Sequence, residues 1–247
     1  MVNILYTDID HYRCHWLQRL VGDALPRGIV FRSDIVNIPS SVLKNFSQCH
    51  FFCGIGGWPL ALAMAGWPDD SPVWTGSCPC QPFSMAGDGG NYGDERDYWP
   101  EWFYLITKHR PPTIFGEQVT GPLGKLWIHQ TRRDLESVGY RFAAANLPAS
   151  GVGALHERNR FFWVADTGGE GLEGFELVGN TIRCISTPSS TFGSHCGLLA
   201  RIHDRPDPAF IVSLDGIPRP VGVVRSLGDS IVPEVAVEFI QAYVECL

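Results

Sequence analysis

The sequence lacks the features that mark membrane and exported proteins. It has no apolar run long enough to cross a bilayer and no basic, apolar leader at its start. It also contains no internal repeat and no low-complexity tract. We therefore expect a soluble, cytoplasmic protein that has no membrane partner.

An excess of basic residues is also missing. The formal net charge is -7, with 19 Lys and Arg against 26 Asp and Glu. A protein that coats nucleic acid by charge alone needs a basic face, because counterion release supplies the affinity. Any contact with nucleic acid must therefore be local.

The eight cysteines lack the spacing of zinc knuckles, since no paired C-x-x-C occurs. A zinc site on Cys78 and Cys80 would need two further ligands at ordered spacing, and disulfide frameworks belong to small exported domains. We expect reduced thiols and no metal. The stretch "GSCPCQPFS", residues 76–84, then either presents a nucleophile on a turn or only fills that turn.

The composition allows a full core, because 45% of the 247 residues are hydrophobic and only 18% are charged. Up to about residue 167, candidate strands alternate with helical patterns, which predicts an α/β fold with a parallel-type sheet covered on both faces. Residues 168–224 are rich in Gly, Ser and Pro without a clear period and indicate a smaller region. The segment "SIVPEVAVEFIQAYVECL" predicts a final helix that packs back on the sheet.

Polar motifs follow several of the predicted strands. "FFCGIGG" joins a strand to a helix through glycines, which is typical of a nucleotide site but also of an ordinary tight turn. "PCQ", "GEQV" and "HERNR" follow later strands or lie between them. We expect all of them at the carboxyl edge of the sheet, where ligands bind in open α/β folds.

With these motifs in this order, the chain resembles the cytosine carbon-5 DNA methyltransferases. "FFCGIGG" is similar to their S-adenosylmethionine motif and "GSCPCQPFS" to their nucleophile loop. "GEQV", "HERNR" and "LGDSIVPEVA" resemble their Glu-Asn-Val, Gln-x-Arg-x-Arg and C-terminal Gly-Asn motifs. The resemblance implies a Rossmann-like S-adenosylmethionine-dependent methyltransferase sheet with helices on both faces, plus a small irregular target-recognition region.

The same resemblance implies a division of the chain and a catalytic set. Residues 1–167 would form the catalytic and cofactor-binding core, 168–224 the target-recognition region, and 225–247 a helix returning to the core. Cys80 would add to carbon 6 of cytosine, and Glu117 would supply the balancing proton at N3. Arg158 and Arg160 would hold the carbonyl of the flipped base and a neighbouring phosphate. For Glu117 and the two arginines, ordinary solvation at the surface is the alternative.

The cofactor residues require an unusual motif order. The glycine motif supplies Phe52, Gly54, Gly56 and Gly57, but the strands that usually follow it are missing there. We infer that residues 1–48 supply them: Asp8 would bind the ribose, Ile9 would pack on the adenine and Asp34 would accept from its amino group. Phe52 would cover the other ring face. Alternatively, residues 1–48 are an unrelated extension, and Asp69 or Asp70 binds the ribose.

Three positions depart from the family pattern: Gln118, His156 and Asp229 replace Asn, Gln and Asn. The first two keep hydrogen-bonding capacity. Asp229 would repel the methionine carboxylate of the cofactor unless it points elsewhere, while Ser230 could still donate there.

The function that the resemblance implies is methylation of carbon 5 of a flipped cytosine in double-stranded DNA through a covalent cysteine adduct. We expect a monomer, and a cognate restriction nuclease is a conceivable partner. An RNA cytosine methyltransferase would share the catalytic set, so only substrate tests separate the two. A non-catalytic cofactor- or DNA-binding relative is the second alternative.

Overall fold

The protein was analysed as a computed structural model, which describes residues 3–79, 97–154, 158–168, 175–178, 181–184 and 230–246. The strands are β1 (Ile4–Asp8), β2 (Ile29–Arg32), β3 (Gln48–Phe51), β4 (Val73–Gly76), β5 (Thr113–Val119), β6 (Arg141–Pro148), β7 (Asn159–Asp166), β8 (Phe175–Val178) and β9 (Thr181–Cys184). The helices are α1 (His11–Leu20), α2 (Ser40–Leu43), α3 (Gly57–Met64), α4 (Trp99–His109), α5 (Pro122–Ser137) and α6 (Pro233–Val244). Two short 3-10 helices span Ile35–Asn37 and Ala149–Val152.

Strands β1 to β7 form a seven-stranded sheet in the order β2-β1-β3-β4-β5-β7-β6. Strands β1 to β5 are parallel to one another, so their carboxyl ends lie at one edge. The two strands of residues 1–48 pair beside β3, on the side away from β4. This is the placement that the permuted motif order requires.

The expectation of a parallel-type sheet is wrong for β7, which runs antiparallel to both β5 and β6. A parallel connection needs a crossover of a dozen or more residues, usually a helix. Only ten residues, 149–158, separate β6 from β7, and they contain no more than a 3-10 turn in their described part. The short connection therefore imposes the antiparallel direction.

Local sequence explains where the long helices begin and end. Asp10 caps α1 by accepting a hydrogen bond from the Arg13 backbone N–H. The helix ends at Leu20 because Val21 is extended and Gly22 adopts a φ of 87°. Helix α4 ends where Arg110 turns left-handed ahead of two prolines.

The two faces of the sheet are covered by different helices. On one face, α4 and α5 pack on the sheet around a group of buried tryptophans, which includes Trp102 of α4 and Trp163 of β7. On the other face, Val235 and Phe239 of α6 and residues of α3 pack on Phe115 of β5. The last helix of the chain thus packs on the sheet. Strands β8 and β9 form a separate antiparallel pair within the smaller region predicted at 168–224.

Candidate active site

A cavity of about 350 Å³ opens at the carboxyl edge of the parallel strands. Its walls come from the ends of β1, β3, β4 and β5, the start of β7 and the segment before α6. Ten of the residues selected from the sequence line it: Asp8, Ile9, Asp34, Phe52, Gly54, Gly57, Glu117, Arg158, Arg160 and Ser230. The topology therefore brings together residues that are up to 222 positions apart (230 minus 8).

The glycine motif forms a tight turn after β3. Phe52 has a φ of 48°, a left-handed value that non-glycine residues rarely adopt, and Gly54 follows with a φ of 60°. The backbone N–H of Gly54 donates to Oδ2 of Asp8 at 2.8 Å. This bond joins the glycine turn to the end of β1, 46 residues earlier in the chain.

Asp8 is a buried carboxylate, only 5% exposed. Its Oδ1 accepts from the backbone N–H of Asp10 at 2.9 Å, and Arg13 Nη1 lies 3.9 Å from Oδ2. Burial raises the pKa of Asp8, although the backbone N–H groups of Asp10 and Gly54 and the charge of Arg13 oppose that shift. The neighbouring Ile9 is 59% exposed, so an apolar side chain stands at the mouth of the cavity.

Asp34 forms a second polar wall beside an aromatic one. Its Oδ1 accepts from the backbone N–H of Val36 at 3.2 Å, and its Oδ2 accepts from the Tyr98 hydroxyl at 3.5 Å. The ring centroids of Tyr98 and Phe52 are 6.0 Å apart. Tyr98 was not selected from the sequence, because nothing in its local pattern distinguishes it from other aromatic residues near a helix start.

These walls fit the ligand that the motifs imply. Carboxylates can accept from ribose hydroxyls and from an amino group, and an aromatic ring and an exposed aliphatic side chain suit a planar purine. Asp8 ends β1, Asp34 follows β2 and Phe52 follows β3, and all three line one cavity. The residues present are therefore compatible with S-adenosylmethionine.

The opposite part of the cavity contains Glu117, which is 7% exposed at the end of β5. Its Oε1 lies 2.8 Å from Nε of Arg160. Burial raises the pKa of Glu117, while the charges of Arg160 and Arg158 and a hydrogen bond from Ser77 act in the opposite direction. A carboxyl group in this setting can exchange a proton with a ligand in the cavity.

Gln118, which replaces asparagine in the family pattern, ties β5 to the strand end before the cysteine motif. Its Nε2 donates to the backbone carbonyl of Cys78 at 3.2 Å, and its Oε1 accepts from the N–H of Val119 at 2.8 Å. Cys78 is 2% exposed and packs in the tryptophan-rich core.

The segment before α6 closes the cavity. Arg158 Nη2 donates to the backbone carbonyl of Ser230 at 2.8 Å. Ile231 packs so closely on the glycine turn that a Cβ at Gly57 would lie 2.6 Å from its Cγ1. Arg158 therefore contacts the C-terminal segment, a partner that the motif assignment did not foresee.

Some selected residues lie elsewhere. Gly56 does not line the cavity: it caps α3 with a φ of 91°, and a Cβ there would lie 2.6 Å from Leu25. Cys80, His156 and Asp229 lie outside the described residues. Asp69 and Asp70 are exposed just before β4, at the amino edge of the parallel strands, and do not line the cavity.

Within the described part of the chain, no helix combines the length and apolar character needed to cross a membrane. The same residues contain no group of three His, Cys, Asp or Glu side chains arranged to hold a metal ion.

The strand order and the edge cavity define a Rossmann-like α/β protein with a nucleotide-type pocket. Residues 67–182 match the family model for C-5 cytosine-specific DNA methylases. A stretch of 95 residues is 33% identical to the Type II methyltransferase M.AplI of Arthrospira platensis, covering 38% of this chain and 28% of that protein. A further match, 24% identical over 176 residues, is to the Type II methyltransferase M.HgiBI of Herpetosiphon aurantiacus.

These matches support the C-5 cytosine methyltransferase family, and the family prediction is confirmed. The match to M.HgiBI covers 55% of this chain and 40% of that protein, so the chain spans well under two thirds of both relatives. Among solved structures, the Entamoeba histolytica methyltransferase EhMeth is 12% identical with a TM-score of 0.46, covering 99% of this chain and 98% of that one. At that TM-score the likeness supports no inference about the function of this chain.

Proposed function

We propose that the protein transfers a methyl group from S-adenosylmethionine to carbon 5 of a flipped cytosine in double-stranded DNA. The observation that carries the proposal is the shared cavity: Glu117, paired with Arg160, faces the same space as Asp8 and the glycine turn. A base-binding acid and a cofactor-binding turn must meet in this way for transfer to occur. The matched family model, which describes C-5 cytosine-specific DNA methylases, supports DNA as the substrate class.

In the proposed reaction, the thiolate of Cys80 adds to carbon 6 of the cytosine and makes carbon 5 nucleophilic. Glu117 donates a proton to N3 as the addition places charge on the ring, which balances that charge. When bound, S-adenosylmethionine supplies the methyl group that carbon 5 accepts. Loss of the carbon 5 proton to a base, expulsion of the cysteine thiolate and return of the N3 proton to Glu117 then restore the neutral aromatic ring.

The arginines have separate parts in this proposal. Arg160 keeps the Glu117 carboxyl in place and has further guanidinium donors for the base carbonyl. Arg158 holds Ser230 at the cofactor end of the cavity through the carbonyl of that residue. Arg158 thus acts on the cofactor side in addition to any contact with DNA.

The remaining assignments extend the proposal to the rest of the chain. Residues 1–167 supply the core, residues 168–224 recognise the target, and residues 225–247 return to the core. Asp8 binds the ribose, Asp34 accepts from the adenine amino group, and Ile9 and Phe52 enclose the ring. A cytoplasmic monomer that acts beside a cognate restriction nuclease stays a prediction.

The test is bisulfite sequencing of plasmid DNA from a methylation-deficient host that expresses the wild-type protein or Cys80→Ala. Cys246→Ala is a matched control, because Cys246 lies just beyond α6 and does not line the cavity. Protected cytosines in a recurring context, present with wild type and the control but absent with Cys80→Ala, would support the proposal.

Other outcomes separate the alternatives. A soluble wild-type protein that binds S-adenosylmethionine but protects no cytosine in DNA would contradict the DNA substrate. Methylation of RNA cytosines by that protein would identify an RNA methyltransferase, and no transfer to either polymer would indicate a binding protein. Full protection by Cys80→Ala would remove this cysteine from the mechanism.

A further inference from the structure

Ser77 connects the cofactor side of the cavity to the base side. Its Oγ accepts a hydrogen bond from Nε1 of Trp58 at 3.2 Å. Gly76 of β4 pairs with Gly116 of β5, so the next residues, Ser77 and Glu117, are neighbours at the strand ends. The Ser77 hydroxyl faces the Glu117 side chain closely enough to lower the pKa of that carboxyl as a hydrogen-bond donor. Trp58, Ser77 and Glu117 come from α3, the end of β4 and β5, and all three line the same cavity.

The Trp58 contact determines the direction of the second bond. An indole N–H can only donate, so it occupies an acceptor position of the Ser77 oxygen. The single hydroxyl proton is then available to the ionised Glu117 carboxylate, which can only accept. The chain of donors therefore runs from Trp58 through Ser77 to Glu117.

The position of Trp58 is itself well determined. The side chain is 4% exposed, its ring stacks on Phe115 with centroids 6.0 Å apart, and Phe162 meets it edge to face at 5.9 Å. An indole held by aromatic neighbours on two sides keeps its N–H direction. Ser77 therefore lies between a fixed donor, the Trp58 N–H, and an acceptor, the Glu117 carboxylate.

Within the described part of the chain, two arginines are the charged groups that act on Glu117. Arg160 pairs with Oε1, and the charge of Arg158 also favours the ionised form. Arg160 lies on β7 and Arg158 immediately before that strand, so both approach the carboxyl from the side of β5 away from β4. Among the described residues, Ser77 adjoins Glu117 from the side of the cysteine motif.

We propose that Ser77 is a positioning residue for Glu117. The Trp58 N–H fixes the Ser77 hydroxyl, and the bond from that hydroxyl holds the Glu117 carboxyl in the orientation that meets N3 of the flipped cytosine. The inference rests on the proposed function, because it assigns to that site a residue that orients the proton donor. It also explains why this position carries a hydroxyl next to the cysteine motif.

The test compares Ser77→Ala, Ser77→Thr and Trp58→Phe with the wild-type protein. The alanine variant removes the hydroxyl, the threonine variant retains it, and the phenylalanine variant keeps a ring but loses the N–H. The first readout is a pH titration of the Glu117 carboxyl carbon by NMR on protein labelled with [5-13C]glutamate. Glu117→Gln identifies the resonance.

Since the Ser77 bond favours the ionised form, Ser77→Ala is expected to titrate at higher pH than wild type, and Ser77→Thr is expected to restore the wild-type curve. The kcat for methyl transfer is expected to fall roughly tenfold in Ser77→Ala, as for loss of one hydrogen bond to a charged group. S-adenosylmethionine binding is expected to stay unchanged. Trp58→Phe is expected to lie between wild type and Ser77→Ala.

Two results would overturn the inference: an unchanged titration curve in Ser77→Ala, or a kcat that Ser77→Thr fails to restore despite a wild-type melting temperature. The NMR titration does not depend on activity, so the two proposals fail separately. An inactive wild-type protein whose Glu117 titration still shifts in Ser77→Ala would reject the proposed function and support the positioning contact.

Discussion

Glu117 on β5 and Arg160 on β7 form an ion pair across antiparallel strands, with Oε1 and Nε 2.8 Å apart. Arg160 lies opposite Val119, so the pair is a diagonal one, two positions out of direct register. Side chains two apart on a strand share a face, which directs both groups into the cavity. The antiparallel direction of β7 thus brings the arginine to the carboxyl edge.

The pKa of Glu117 predicts how stability depends on pH. Burial raises this pKa above the ordinary 4.5, so the folded chain retains the proton to higher pH than the unfolded chain. The stability that this difference in pKa contributes is fully present below the ordinary pKa of glutamate. It is lost as the pH rises through the raised pKa of Glu117 in the folded protein. We expect the melting temperature of wild type, relative to Glu117→Gln, to fall as pH increases above about 4.5. Scanning fluorimetry at several pH values measures this, and a constant difference would contradict it.

Arg158 and Arg160 are expected to differ in their effects. Arg158→Ala removes the bond to the Ser230 carbonyl, so it should weaken S-adenosylmethionine binding as well as activity. Arg160→Ala removes the partner of Glu117 and should lower kcat while leaving cofactor binding intact. Isothermal titration calorimetry with steady-state kinetics separates the two. Equal losses of cofactor affinity in both variants would refute the distinction.

Asp8→Ala tests the permuted motif order. Asp8 lies in the cavity and accepts from Gly54, so its loss should weaken S-adenosylmethionine binding by roughly tenfold or more, as for an unpaired polar contact. Asp70→Ala is the matched control, because Asp70 is exposed at the other edge of the sheet. Calorimetric dissociation constants provide the measurement. Unchanged affinity in Asp8→Ala together with a loss in Asp70→Ala would overturn the permuted order.

Gly57→Ala tests the closure of the cavity by the C-terminal segment. The added Cβ would lie 2.6 Å from Ile231 Cγ1, so we expect a loss of about 1–3 kcal/mol in the free energy of unfolding. Ile231→Ala removes the obstructing group, and the double variant should therefore lose less than the two single losses added together. Urea denaturation of all four proteins measures the coupling. Strict additivity would show that the two residues do not meet in solution.

The sheet was predictable because its strands are short apolar runs bounded by turn residues. β7, "NRFFWVAD", illustrates the limit: its position follows from its composition, but its direction depends on the length of the preceding connection. The end of α1 shows a second limit. Apolar spacing continues past Leu20, and the backbone angles of Val21 and Gly22 end the helix there.

The site was predictable where a motif is local and follows a strand. Asp8, Gly54 and Glu117 each stand at a strand end, and parallel strands deliver their ends to one edge. Tyr98 and Arg13 were missed, although both line the cavity. They belong to helix starts or first turns, where nothing in the sequence indicates which neighbouring strand end they face.

By itself, the sequence determined the residue types and their order, because glycine turns, strand-end acids and the final apolar helix are local patterns. Only the tertiary structure decided which of these residues meet. Asp8 joins Gly54 across 46 positions, and Arg158 reaches Ser230 across 72, through the order of strands and the packing of the last segment. Contacts between distant residues depend on how a whole chain closes its core, and no short stretch of sequence contains that information.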